Sequence, residues 1–149
     1  MERKKIVANV LVIDASVVIK WFVEEEYSYE ARLLKNAYAN GIVDIAVPSI
    51  MKYEVLNALK YSGGFGEDEL KEIAIVLDRF QFTIYDIEGE YSFRTIEIAM
   101  RKGITIYDAA YVALAQILNT VMYTADKRLI RKIGDPNIAK HIREFKINL

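Results

Sequence analysis

The sequence predicts an α/β fold in which a mostly parallel sheet lies between two helical layers. Three features point there. Short β-branched runs alternate with stretches of helical periodicity along the whole chain, the pattern left by right-handed crossovers. The apolar fraction, 53%, exceeds the usual level and calls for a sheet covered on both faces. Finally, the apolar run Val10 to Ile13 ends abruptly on Asp14, and Ala15 to Phe22 behind it is too long and too apolar for a surface loop. That reads as a buried strand, a sharp turn and a helix packing back on the sheet. Ligands of open parallel sheets sit just beyond the carboxyl ends of the strands, where Asp14 falls.

The elements follow in order. Arg3-Lys4-Lys5 marks residues 1–8 as an exposed basic tail. The apolar run after it is interrupted by Asn9 and lacks a small-residue cleavage site, so a signal peptide is not expected. No segment reaches membrane-spanning length, and a soluble, cytoplasmic protein is the expectation. After the first helix, Glu24-Glu25-Glu26 forms a solvated turn. A second helix spans 28–39, with Ala31, Leu34, Ala37 and Tyr38 at helical spacing and Gly41 just past its end. Ile42 to Val47 reads as a strand. Pro48-Ser49 opens a third helix with Ser49 as N-cap, and the cluster Gly63-Gly64-Phe65-Gly66 breaks it. Residues 67–79 carry acids in the first turn and the stripe Leu70, Ile73, Ala74, Leu77, a helix again. Phe82 to Ile87 reads as a strand and 90–102 as a helix closed by Gly103. Ile104 and Thr105 are too few to make a strand. Residues 108–119 form a strongly apolar helix, 121–124 a short buried strand and 126–133 a short helix. Beyond Gly134-Asp135-Pro136 an edge strand is expected. With 149 residues and no repeat or composition break, a single domain over 1–149 is expected.

Composition narrows the chemistry. The chain has no cysteine, which excludes disulfides, thiolate zinc sites and a cysteine nucleophile. Its 20 Lys+Arg against 21 Asp+Glu leave a net charge of −1, so nucleic acid would be held by a local patch and not by global attraction. Candidates for such a patch are Lys20 and the run Lys127, Arg128, Arg131, Lys132, which equally reads as a solvated helix face. Trp21 and Phe22 read as core. Tyr27 and Tyr29, beside the charged turn, are candidates for partner contacts.

Four carboxylates then deserve weighing. Asp14, Asp108 and Asp126 each follow a strand or possible strand, which in a parallel sheet places them along one edge. Each also reads as an ordinary helix N-cap, and the two roles are compatible, since a capping carboxylate keeps an oxygen free. Glu54 differs, lying inside a helix, about 7 Å along the axis from its start. Its wheel neighbours are Ile50, Met51, Asn57, Ala58 and Tyr61, so it sits in a largely apolar sector with Asn57 as its polar neighbour. A buried carboxylate needs a partner or a metal; an Arg or Tyr elsewhere in the fold is the structural alternative. Asp108 likewise shares its wheel face with Tyr111, Val112, Ala115 and Asn119. Convergent carboxylates protonate or bind a cation. With His141 the single histidine and far away in the tail, the ligands are hard oxygens, which suit Mg²⁺ or Mn²⁺. Such a cation serves phosphodiester hydrolysis. Ser16 and Thr124 stand beside two of the acids, either as plain turn hydroxyls or as groups that orient the cation's waters.

The motifs together resemble a known family. Val12 to Phe22 (VIDASVVIKWF), Pro48-Ser49 followed by Glu54 to Leu59 (EVLNAL), Tyr107 to Ala115 (YDAAYVALA) and Tyr123 to Leu129 (YTADKRL) resemble, in that order, PIN-domain ribonucleases of the VapC toxin type. The resemblance covers nearly the whole chain. It implies a three-layer α/β/α sandwich, an acidic quartet of Asp14, Glu54, Asp108 and Asp126 holding one or two divalent metals, RNA as substrate, a homodimer and a small cognate antitoxin. The hairpin of helices 49–62 and 67–79 is the expected contributor to the dimer or to an antitoxin groove. Similar domains process RNA outside toxin pairs, and a silent PIN-like binding module is the non-enzymatic alternative. A haloacid-dehalogenase-type phosphotransferase would carry Asp-x-Asp where this chain has Asp14-Ala15-Ser16. A receiver domain would need an acidic pair near Asp14 and a phosphorylatable Asp after a later strand, and neither is evident.

Overall fold

The computed structural model describes residues 9–147; the basic tail expected over 1–8 lies outside them. Five strands, β1 (Asn9–Ile13), β2 (Val43–Pro48), β3 (Thr83–Tyr85), β4 (Met122–Thr124) and β5 (Ala139–His141), form one sheet in the order β3-β2-β1-β4-β5. Every pairing is parallel, and β5 is the edge strand expected near the end of the chain. Seven helices connect them: α1 (Ala15–Ile19), α2 (Ser28–Ala39), α3 (Met51–Ser62), α4 (Glu67–Arg79), α5 (Gly89–Lys102), α6 (Ile106–Ile117) and α7 (Lys127–Ile133). This is the expected α/β/α sandwich. The chain winds outward from β1 to β2 and β3, then crosses back to β4 and β5. The strand order therefore reverses between β1 and β4, and the crevice outside their carboxyl ends is where such sheets bind ligands.

Right-handed crossovers place helices on both faces, and burial follows. α6 packs on β1, β2 and β4, and its whole span Ala109–Ala115 is buried. That run is rich in Ala, Val and Leu, as suits a segment enclosed on every side, while Ile106, Tyr107 and Ile117 at the helix ends are exposed. Val12, Ile13, Ile45, Ala46 and Met122 fill the sheet beneath it. Among the described residues no helix is long and apolar enough to cross a membrane.

Four boundaries differ from the sequence reading, and at the first helix and at Ser49 tertiary contacts outcompete local pattern. The first helix stops at Ile19; residues 20–22 close with i→i−3 bonds, and the Trp21 indole turns away to donate to the Ala31 carbonyl at 2.8 Å and pack on Phe80 and Phe82. Ser49 does not cap α3: its N–H donates to the Tyr85 carbonyl at 2.9 Å, extending the β2–β3 ladder, and Ile50 occupies the cap position. β3 shrinks to three residues. α6 starts earlier than expected, at Ile106, because Thr105 is its N-cap and accepts the Asp108 N–H at 3.0 Å. Asp108 is thus in the first turn of the helix, and the capping role weighed for it is excluded.

Candidate active site

Asp14 is the first residue past β1. Its N–H donates to the Tyr123 carbonyl at 3.2 Å, so the ladder between β1 and β4 fixes its position. Its Oδ1 accepts the N–H of Ser16 at 3.1 Å and the Ser16 hydroxyl at 2.5 Å, which makes it the N-cap of α1. The Ser16 Oγ also accepts the Ala125 N–H at 2.9 Å and lies 3.3 Å from Thr124 Oγ1, which accepts the Asp126 N–H at 3.1 Å. Ser16 and Thr124 therefore lace the ends of β1 and β4 together. Asp14 is 6% exposed. Burial pushes its carboxyl up to about 6, against the hydrogen bonds from Ser16 and Thr124, and Asp108 adds to the rise.

Asp126 follows β4 and caps α7 through Oδ1, which accepts the N–H groups of Arg128 and Leu129 at 3.0 Å each. Its side chain stands in solvent.

Glu54, half-buried in the first turn of α3, accepts a 2.6 Å hydrogen bond on Oε1 from the hydroxyl of Tyr111. The tyrosine partner weighed as an alternative thus exists, and it leaves Oε2 open. Tyr111, 1% exposed on α6, is the residue that sequence reasoning passed over. The signal was present, since it lies one turn beyond Asp108 on the same wheel face. Burial raises the Glu54 carboxyl, Tyr111 opposes that, and Asp108 adds to it. Burial raises Asp108 too, Thr105 and Lys132 oppose the shift, and Asp126 reinforces it. Asp108 is therefore the electrostatic hub: Asp14 and Glu54 feel its charge, and it feels Asp126.

The four acids face one end of the sheet with no Lys or Arg bonded to any of them among the described ion pairs. Among the described residues, however, no three His, Cys, Asp or Glu side chains close into a ligand cluster. Ser16, Tyr111 and the α7 amides draw Asp14, Glu54 and Asp126 toward separate anchors. In donor chemistry the set fits a hard divalent cation, which favours the charged forms that burial and mutual repulsion oppose.

Two depressions meet these acids. One, of about 280 Å³, is lined by Thr105, Asp108, Asp126, Arg128 and Lys132. The other, about 860 Å³, runs between α3 and α4 over Ile50, Leu56 and Leu70, with Glu54 and Asn57 in its wall. Of the other candidates, Lys20 is buried and paired with Glu25 at 2.9 Å, which removes it from any nucleic-acid patch. Tyr27 packs on His141 with ring centroids 4.7 Å apart, whereas Tyr29 is exposed. Trp21 and Phe22 pack against the core, as expected.

Comparison with known proteins gives the family and the fold. Residues 11–135 match the PIN domain family. The chain is 34% identical over 128 residues to ribonuclease VapC3 of Pyrobaculum aerophilum, covering 82% of this chain and 93% of that one. Among solved structures it is similar to PAE2754 of Pyrobaculum aerophilum, with TM-score 0.62, 22% identity and coverage of 93% and 92%. It is also similar to a chain of a toxin–antitoxin complex from Klebsiella pneumoniae, with TM-score 0.66, 18% identity and coverage of 87% and 96%.

Proposed function

The chain belongs to the PIN-domain family, and from that premise we propose that it is a divalent-metal-dependent ribonuclease, the toxin of a VapBC-type pair. The observation that carries the reading is the set of four carboxylates near the strand-order reversal, with Asp108 raising both Asp14 and Glu54 and none of the four in an ion pair among the described residues. Asp14, Glu54 and Asp108 would hold Mg²⁺ or Mn²⁺ directly, and Asp126 would support it from the start of α7. When bound, that cation neutralises charge on the scissile phosphate and activates water for attack. The chain's own groups do the rest. Ser16 and Thr124 fix the strand ends so that Asp14 presents its second oxygen without moving. Tyr111 holds Glu54 by Oε1, leaving Oε2 for the cation or for the proton of the attacking water.

The relatives support the partner class. The apolar groove between α3 and α4 fits a segment of a cognate antitoxin, and the neighbour from Klebsiella pneumoniae was solved as a toxin–antitoxin complex. A single cytoplasmic domain acting as a homodimer completes the reading. The test is cleavage of RNA with Mn²⁺, with EDTA, and with Asp14→Asn. Cutting that needs the cation and is lost in the variant supports the proposal. Cutting that survives EDTA, or equal activity of the variant, overturns it, and binding without cutting would mark a silent module.

A further inference from the structure

Two grooves flank α7 and divide its four cations. Arg128 and Lys132, one turn apart, line the cleft that contains Asp108 and Asp126. Lys127 and Arg131, also one turn apart, line the groove on the other side with His141 and Arg143. We infer that RNA runs from the acidic site along the α5 side of α7, its phosphates held first by Arg128 and Lys132 and then by Arg101 and Lys102. This rests on the ribonuclease reading and adds the direction and residues of the path.

A phosphodiester brings a negative charge to a place where Asp14, Glu54 and Asp108 already repel one another. The net charge of −1 supplies no long-range attraction, so compensation comes from cations within a few ångströms. In the cleft, Arg128 and Lys132 balance Asp108 and Asp126. Neither cation is spent on a carboxylate: the ion pairs of the described residues use Lys20, Arg32, Lys52 and Lys71. The Lys132 Nζ instead donates to the Gly103 carbonyl at 3.1 Å, bridging α7 to the end of α5. That contact joins the cleft to a second depression, about 440 Å³, where Arg94, Arg101 and Lys102 outnumber Glu97 and Asp135. The two depressions are lined by chain neighbours at Lys102–Gly103 and Lys132–Ile133, and the proposed path crosses from one to the other there.

The opposite groove carries Lys127, Arg131 and Arg143 against Glu144, and is set apart from the acidic site. Lys127 Nζ stands 5.7 Å from the centroid of the Tyr27 ring, and Tyr27 in turn packs on His141. None of the four quartet acids lines it.

The experiment is fluorescence anisotropy with a labelled single-stranded RNA, the divalent cation chelated so that nothing is cut, at several salt concentrations between about 50 and 200 mM. Three double variants are compared with the parent: Arg128→Ala with Lys132→Ala, Arg101→Ala with Lys102→Ala, and Arg131→Ala with Arg143→Ala. All six side chains are exposed, each pair removes the same charge, and thermal melts check that each variant is folded. The first pair should weaken binding roughly fivefold or more and flatten the dependence of log K on log salt by about 1.4, or 0.7 for each lost phosphate contact. The second pair should weaken binding less and, in cleavage with Mn²⁺, raise KM with kcat unchanged. The third pair should match the parent. Binding unchanged in the first two pairs, or lost equally in the third, overturns the path while cation-dependent cleavage by the parent keeps the ribonuclease reading. A parent that neither binds nor cuts RNA overturns both.

Discussion

The strand side and the helix side of the acidic site hold their carboxylates in different ways. On the strand side, Asp14 and Asp126 follow neighbouring parallel strands, and each accepts backbone amides two or three residues ahead. Their positions are set by the sheet and by local capping. On the helix side, Glu54 depends on one hydrogen bond from a tyrosine 57 positions away, and Asp108 is placed through its backbone by Thr105. The difference separates position from charge. Replacing a strand-side Asp by Asn changes the charge and preserves the cap, whereas the helix side also loses geometry when a partner goes. Mutations can therefore test each side separately.

The largest effect belongs to Asp14→Asn. Asn caps as well as Asp, so the fold is retained, while cleavage and calorimetric Mn²⁺ binding should both disappear. Mn²⁺ binding that persists in the variant would remove Asp14 from the ligand set and leave it as a helix cap.

The same substitution should also stabilise the protein. In the fold, burial raises the Asp14 carboxyl from 3.8 to about 6, so proton binding favours the folded state. The stability contributed by this group is fully present below about 4 and is lost as pH rises through about 6. At neutral pH the charged Asp14 thus destabilises the cation-free protein, by up to about 3 kcal/mol from the size of that shift. Urea unfolding of the cation-free protein should show Asp14→Asn more stable than the parent at pH 7, the gap closing as pH falls toward 4. A pH-independent gap would mean that burial does not tax this carboxylate.

Asp126→Asn should do less. The variant keeps its cap on α7, and Asp126 stands in solvent at the start of a seven-residue helix. Loss of an indirect contact to a cation typically costs on the order of 10–100-fold in activity, with Mn²⁺ binding largely retained. Glu54→Gln, which removes a proposed direct ligand, should lose both. If Asp126→Asn proved the most damaging substitution in single-turnover cleavage, the strand side would be the whole site and the ordering would reverse.

The strand side was also the more legible in sequence. An apolar run that stops on a carboxylate fixes strand, turn and cap within six residues, so Asp14 and Asp126 could be placed by local rules. The sheet order followed less directly, because β3 and β4 have only three residues each. The helix side hid its organisation. Glu54 showed its apolar sector through the wheel of α3, but its partner Tyr111 sits within the buried, apolar run Ala109–Ala115 of α6, where a tyrosine reads as packing. Thr105 was invisible as a cap because Ile104 and Thr105 gave no signal of their own, and Asp108 took the cap role in its place. Ser49 misled for the opposite reason: its local pattern was a good cap, and the sheet edge claimed its amide. Thr105 apart, local chemistry was readable where nearby backbone satisfied it, and unreadable where a residue far along the chain did.

The finest test of the helix side is Tyr111→Phe. The ring is fully buried and volume is conserved, so packing changes little, and the one bond lost is that to Glu54 Oε1. Tyr111 holds the Glu54 carboxyl below where burial alone would set it. Without the hydroxyl, that carboxyl should rise further and its side chain should lose its fixed orientation. Cleavage should fall by about tenfold, as for other groups that orient a ligand. The signature lies in the pH profile: the acid limb of the rate should move to higher pH, so that the deficit is greatest in acid and narrows as pH rises. Asp14→Asn should show no such recovery, because its loss is not one of protonation. A uniform deficit across pH would mean that Tyr111 positions Glu54 without tuning it. A variant equal to the parent at every pH would show that Glu54 needs no orienting partner, and the contrast between the two sides would collapse.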